Sequence, residues 1–211
     1  MTHLGILSSI FSSNHKSIYA AIRKGNIDDI KDYLNGSNNL NSDFQLQSIL
    51  HYAIDNCENN YFETIKLLMN SGIDINNHHS KFLETPLHKL CARAVPHIDI
   101  ITILLQKGAE VNAVNISGKT PVFYCNFSYS VELLNLLIKY GADINIKDKY
   151  KNTLLHDDYV NCLDEHFEEF LKTLLNLGFD INSKNDLGLT PLALCKNEKI
   201  EGILVKYGAF K

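Results

Sequence analysis

Five glycines punctuate this chain at positions 72, 108, 141, 178 and 208, and each closes an apolar stretch of the same kind. The clearest is Leu133, Leu134, Leu136 and Leu137, whose spacing lays one stripe along a helix that Gly141 ends in a left-handed C-cap. Leu67-Leu68, Ile103-Leu104-Leu105, Leu174-Leu175 and Val205 precede the other four glycines by three to five positions. Upstream of the Leu133 stripe, Gly118 permits a tight turn, and Thr120-Pro121 supplies an N-cap hydroxyl and a proline at the first helical position. Its counterparts are Ser48-Ile49-Leu50-His51, Thr85-Pro86-Leu87-His88, Thr153-Leu154-Leu155-His156 and Thr190-Pro191-Leu192. Each unit reads helix, turn, helix, then an extended excursion such as Ala142-Asp143-Ile144-Asn145. A unit this short cannot bury its own apolar face, so the chain is predicted to stack its units around one continuous core.

The steps between the closing glycines are 36, 33, 37 and 30 residues, close on average to the ~33-residue ankyrin period. With TPLH at Thr85 to His88 and GADIN at Gly141 to Asn145 recurring in one phase, the chain resembles the ankyrin-repeat family over nearly all its length. The resemblance implies an all-α ankyrin-repeat solenoid of about six helix-turn-helix repeats with β-hairpin fingertips. One domain over 1–211 is expected, with a capping segment over 1–15 and repeats near 16–41, 42–76, 77–112, 113–145, 146–182 and 183–211. The first is a degenerate copy turning at Gly25-Asn26. Phe123 and Ala193 stand where the family has the tetrapeptide histidine, Leu154 replaces the proline, and Lys151 replaces the turn glycine. Asn56 to Phe62, Ala92 to His97 and Asp157 to Phe167 are long connections expected to bulge between helices. In the last repeat, Lys196, Glu198, Lys199 and Glu201 suit a polar outer side, and Gly202 weakens the terminal helix.

A formal charge of −4 and a pI near 6.1 supply no basic field for nucleic acid. No apolar run approaches the ~20 residues of a membrane helix, and the start, MTHLGILSSIFSS, lacks the basic n-region of a secretory signal. Five cysteines without paired spacing argue against a disulfide framework; Cys91, Cys125 and Cys195 follow the tetrapeptides and are expected to be buried thiols. The sequons at Asn35, Asn115 and Asn126 are expected to go unused. A monomeric cytoplasmic protein is predicted, in the host cytoplasm or nucleus if viral, with no cofactor.

No GxSxG, P-loop, HExxH or GxGxxG pattern occurs, so no enzyme is predicted. The resemblance implies that His51, His88 and His156 bridge neighbouring repeats through backbone hydrogen bonds. His88 and Cys91 have the spacing of a ligand pair, and His78-His79 sit in a fingertip, but no second pair completes a zinc set. The acidic run Asp157, Asp158, Asp164, Glu165, Glu168 and Glu169, with His166 among them, is expected to be a solvated insertion face, the alternative being a docking site for a basic partner.

Ankyrin proteins generally bind other proteins through fingertips and the first-helix surface. The resemblance places fingertips at Asn77 to Phe82, Val114 to Gly118, Lys147 to Lys151 and Lys184 to Gly188. Phe82, Ile116, Lys149, Tyr150 and Leu187 are the candidate partner-binding residues, apolar anchors in a polar rim. The Asn- and Ile-rich style, with ETPLHKLC and GADINIKDKYKNTLLH, resembles poxvirus ankyrin proteins, many of which carry a C-terminal F-box-like segment. Because the sequence stops at Lys211, it is expected to lack ligase recruitment and to act by occupying a host signalling protein, in an inhibitor-of-NF-κB-like mode. The alternative is a cellular adaptor or a truncated remnant of a longer protein. The family also implies asparagine hydroxylation at Asn76, Asn112, Asn145 and Asn182, each with a leucine eight residues earlier.

Overall fold

The computed structural model describes residues 18–36, 48–78, 82–156 and 164–211. The capping segment expected over 1–15, most of the connection from Asp157 to Phe167, and the acids Asp157 and Asp158 lie outside these residues.

Six pairs of helical elements follow one another among the described residues. Residues 18–24 (α1) pair with α2 (Ile27–Asn35), α3 (Ile49–Asn56) with α4 (Tyr61–Met69), and α5 (Pro86–Cys91) with α6 (Ile98–Gln106). A 3-10 helix over Pro121–Phe127 precedes α7 (Val131–Lys139), and a second over Leu154–His156 precedes α8 (Asp164–Asn176). Last come α9 (Pro191–Leu194) and α10 (Glu198–Lys206). The five closing glycines take φ between +82° and +91°, the left-handed caps that end the second helix of every pair but the first, where Gly36 is extended.

The apolar stripes point where their spacing predicts. Ile65 and Leu68 of α4, Ile101 and Leu104 of α6, Leu133 and Leu137 of α7, and Phe167, Phe170 and Leu174 of α8 are all fully buried. With Leu50, Leu87, Val122, Leu154 and Leu192 from the first helices they make one cluster running from Ile18 to Ala209. Each such side chain contributes about 1.5–3 kcal/mol on burial, and each needs a neighbouring pair to be covered, so stability is shared along the stack.

Two recurring polar links fasten pair to pair. His51, His88 and His156 reach from Nε2 to the carbonyls of Glu84, Lys119 and Leu189 at 2.9, 3.1 and 3.1 Å. In His88 and His156, Nδ1 accepts the backbone N–H of Thr85 and Thr153, so Nε2 carries the proton and donates. The second link is an asparagine amide. Asn76 accepts from the N–H of Glu110 and donates to the carbonyl of Gly108, at 2.9 and 3.1 Å. Asn112 does the same with Asp143 and Gly141, and Asn182 with Phe210 and Gly208.

Between the fourth and fifth pairs neither link is made. Phe123 replaces the histidine, and the hydroxyl of Thr120 is left buried without a hydrogen-bond partner. Thr120 is therefore not the side-chain cap expected from sequence, and the helix behind it is 3-10 rather than α. The side chain of Asn145 is exposed and bridges to none of the described residues. Aromatic packing serves this joint instead: Tyr129 meets Phe167 and Phe170 edge-on, with ring centroids 5.3 and 5.5 Å apart.

Other expectations are corrected by packing. Phe167 belongs to α8 rather than to a bulge. Glu168 is partly exposed but also paired: Lys206 and Tyr207 reach its carboxylate at 2.8 and 2.7 Å and, with Lys172, hold its pKa down at about 2. Cys91 and Cys125 are buried, and burial pushes both thiols up, but Cys195 is only half-buried beside the carbonyl of Asn197.

Candidate protein-binding surface

Each of the last three tips is a turn pinned from inside by one side chain. Oδ1 of Asn115 accepts from the N–H groups of Ser117 and Lys119, at 2.9 and 3.1 Å. Asp148 does so for Tyr150 and Asn152, and Asn185 for Leu187 and Leu189. Two backbone bonds close each loop: Asn115, Asp148 and Asn185 donate to the carbonyls of Lys119, Asn152 and Leu189 and accept from the N–H groups of Gly118, Lys151 and Gly188. The arms then leave at once for the next helix. The expected β-hairpins are accordingly turns, and no strand occurs among the described residues.

Neighbouring tips are stitched together by backbone bonds. Ile116 donates to the carbonyl of Phe82 at 2.9 Å, Lys149 to Ser117 at 3.0 Å, and Asp186 to Tyr150 at 2.9 Å. With the backbone engaged in this row, the side chains project away from the core. Phe82 is 47% exposed, Ile116 46%, Tyr150 67% and Leu187 80%, and Lys149 is exposed between them. None of the four apolar side chains is buried in the core.

Sequence reasoning missed Leu83. It stands two residues before Thr85, as Gly118 stands before Thr120 and Gly188 before Thr190, and that spacing was the available signal. Its φ is +54°, in the left-handed region, and its side chain is 42% exposed. A leucine held there costs about 1–3 kcal/mol. Lys151, at φ +59°, occupies the same place in the next tip but one and pairs with Asp186 at 2.7 Å.

The first helices add a polar network that sequence spacing did not reveal. Tyr124 donates to Glu84 at 2.7 Å and accepts from the amide of Asn115 at 2.8 Å. Lys89 lies 3.2 Å from Asp55 and 4.0 Å from Glu84, and exposed Phe127 stacks on Tyr124. The Asn115 sequon is thus committed to internal bonds at both ends of its amide.

Both ring nitrogens of His88 are engaged, Cys91 is buried, and His78 donates from Nδ1 to the carbonyl of Leu83; His79 lies outside the described residues. Among the described residues no cluster of three or more His, Cys, Asp or Glu side chains is placed to hold a metal ion. No helix among them is long and apolar enough to cross a membrane. Of the hydroxylation candidates, Asn76, Asn112 and Asn182 have their amides bonded to the following pair, whereas Asn145 does not.

Comparison with known proteins agrees with this geometry. Residues 57–148 match the family model for ankyrin repeats in three copies. Over 125 residues the chain is 34% identical to an ankyrin repeat protein of fowlpox virus (strain NVSL), a match covering 56% of this chain and 20% of that protein. An ankyrin repeat protein of variola virus is 29% identical over 105 residues, 50% of this chain and 18% of the relative. The transient receptor potential cation channel subfamily A member 1 of Drosophila melanogaster is 31% identical over 112 residues, 51% of this chain and 9% of the channel. The matches thus span a fifth or less of these relatives' length. Stacked helix pairs, histidine and asparagine links, and stitched tips carry the same conclusion as the family match: residues 57–148 are ankyrin repeats, and the described helix pairs on either side of them repeat the same pattern.

Proposed function

We propose that this chain is a non-enzymatic binding module, a single six-repeat array over 1–211 acting as a monomer. Its tips carry Phe82, Ile116, Lys149, Tyr150 and Leu187 onto the surface of another protein. The observation that supports this is the stitched row of tips, which keeps four large apolar side chains in water on a backbone that is already ordered. Exposed apolar anchors on a pre-ordered surface lose little entropy on binding.

Similarity to the fowlpox and variola proteins favours a viral factor that occupies a host signalling protein in the cytoplasm or nucleus, in a manner like an inhibitor of NF-κB. The match to a channel's repeats favours the second reading, a cellular adaptor or a piece of a longer protein. Asn145, whose amide is unbridged, is the hydroxylation candidate most open to an enzyme, and the mass of its tryptic peptide from expressing cells reads that directly.

Affinity purification from host-cell lysate tests the main reading. The chain is compared with a variant carrying Ile116→Asp, Tyr150→Asp and Leu187→Asp, shown by circular dichroism to be folded. A partner held by the first and lost by the second is expected. Retention by the variant overturns the reading.

A further inference from the structure

We infer that the two C-terminal tips recognise an acidic segment of the partner that also carries apolar side chains. This rests on the tip-binding function proposed above and specifies the chemistry those tips take. Lys147 to Lys151 and Lys184 to Gly188 bear four lysines against two aspartates, on a chain whose formal charge is −4. Charge is therefore segregated, with the tips opposite in sign to the molecule as a whole.

Both aspartates are already committed. Asp148 is buried, accepts the N–H groups of Tyr150 and Asn152, and takes the Asn152 amide on its second oxygen at 3.2 Å. Asp186 pairs with Lys151 at 2.7 Å. Lys147, Lys149 and Lys184 are exposed and form no ion pair with a described residue. These three lysines share the two tips with Tyr150 and Leu187, and the Asp186 to Tyr150 backbone bond holds those tips side by side. Carboxylates flanking an apolar side chain satisfy both features at once: the field steers the segment in, and the apolar contact excludes water. A nucleic acid would find three cations and a single aromatic ring, Tyr150, on which to stack, on a molecule whose formal charge of −4 repels phosphate.

Fluorescence anisotropy of a labelled short peptide alternating Asp and Leu tests the inference, beside a peptide alternating Lys and Leu and a single-stranded oligothymidylate. The acidic peptide is expected to bind, with affinity falling as salt rises. Lys147→Glu, Lys149→Glu and Lys184→Glu together should weaken it by about tenfold or more, with the circular dichroism unchanged. Undiminished binding by that variant, equal binding of the basic peptide, tighter binding of the oligothymidylate, or no binding of the acidic peptide would each overturn the inference. The lysate experiment separates it from the broader reading. A partner lost by the aspartate tip variant but kept by the glutamate variant leaves tip binding standing and removes the acidic segment; one kept by both removes both.

Discussion

His88 donates from Nε2 to the carbonyl of Lys119 at 3.1 Å, and that bond fastens the third helix pair to the fourth. Burial, the largest influence, holds this imidazole's pKa below its ordinary value of 6.5. The unfolded chain therefore takes up a proton at His88 before the folded one does. The resulting contribution to stability is full above pH 6.5 and is lost as the pH falls from there toward the folded-state value. Urea midpoints measured across this range should fall more steeply for the native chain than for His88→Gln. Parallel curves would show that His88 does not carry the dependence.

Thr85 and Thr120 hold equivalent places with opposite bonding. The Thr85 hydroxyl lies 2.8 Å from His88 Nδ1, whereas the Thr120 hydroxyl is buried and unpaired. Thr85→Val should cost about 1–2 kcal/mol, and Thr120→Val should be neutral or stabilising, because the valine removes a desolvated hydroxyl that has no bond to lose. Equal losses in urea unfolding would contradict this.

The joint after Asn145 lacks both polar links that fasten the second pair to the third, the third to the fourth and the fifth to the sixth, so it should separate before those three. In a quasi-one-dimensional array each interface contributes its own term. Hydrogen exchange under mild denaturant is expected to release the amides of α8 and α10 together, ahead of those in α4 and α6. Phe170→Ala, which empties the aromatic contact to Tyr129, should cost about 3–5 kcal/mol and widen that gap. Exchange of all four helices at one common free energy would show that the joint is as strong as the others.

The glycines are not equivalent. A Cβ at Gly25 would lie 1.9 Å from the carbonyl oxygen of Asn59, one at Gly118 would lie 3.0 Å from the backbone nitrogen of Lys149, and one at Gly188 would meet nothing within 4 Å. All three have positive φ. Gly188→Ala should cost about 1 kcal/mol from backbone strain alone, Gly118→Ala more, and Gly25→Ala most, since it also pushes α1 away from the next pair. Leu83→Gly runs the other way, with a gain of about 1 kcal/mol. Thermal melts of the four variants give the ranking.

Helix pairs and closing glycines were legible in the sequence because they depend on local chemistry, the spacing of Leu133 to Leu137 and the permissive φ at Gly141, whereas the pinning of the tips by Asn115, Asp148 and Asn185 was not read from it. The histidine bridges of His51, His88 and His156 were also legible, since the tetrapeptide recurs in phase with the carbonyls it reaches. Whether a given link is completed was not. The sequence offered Thr120 as a cap and Asn145 as one of four like asparagines, and it offered Glu168 as part of an acidic face. Tertiary structure alone left the first two unbridged and tied the third to Lys206 and Tyr207. Each outcome turns on where the backbone or side chains of the neighbouring pair, about 33 residues away, come to rest. Local pattern determines which elements form; the register between stacked pairs decides which polar groups meet.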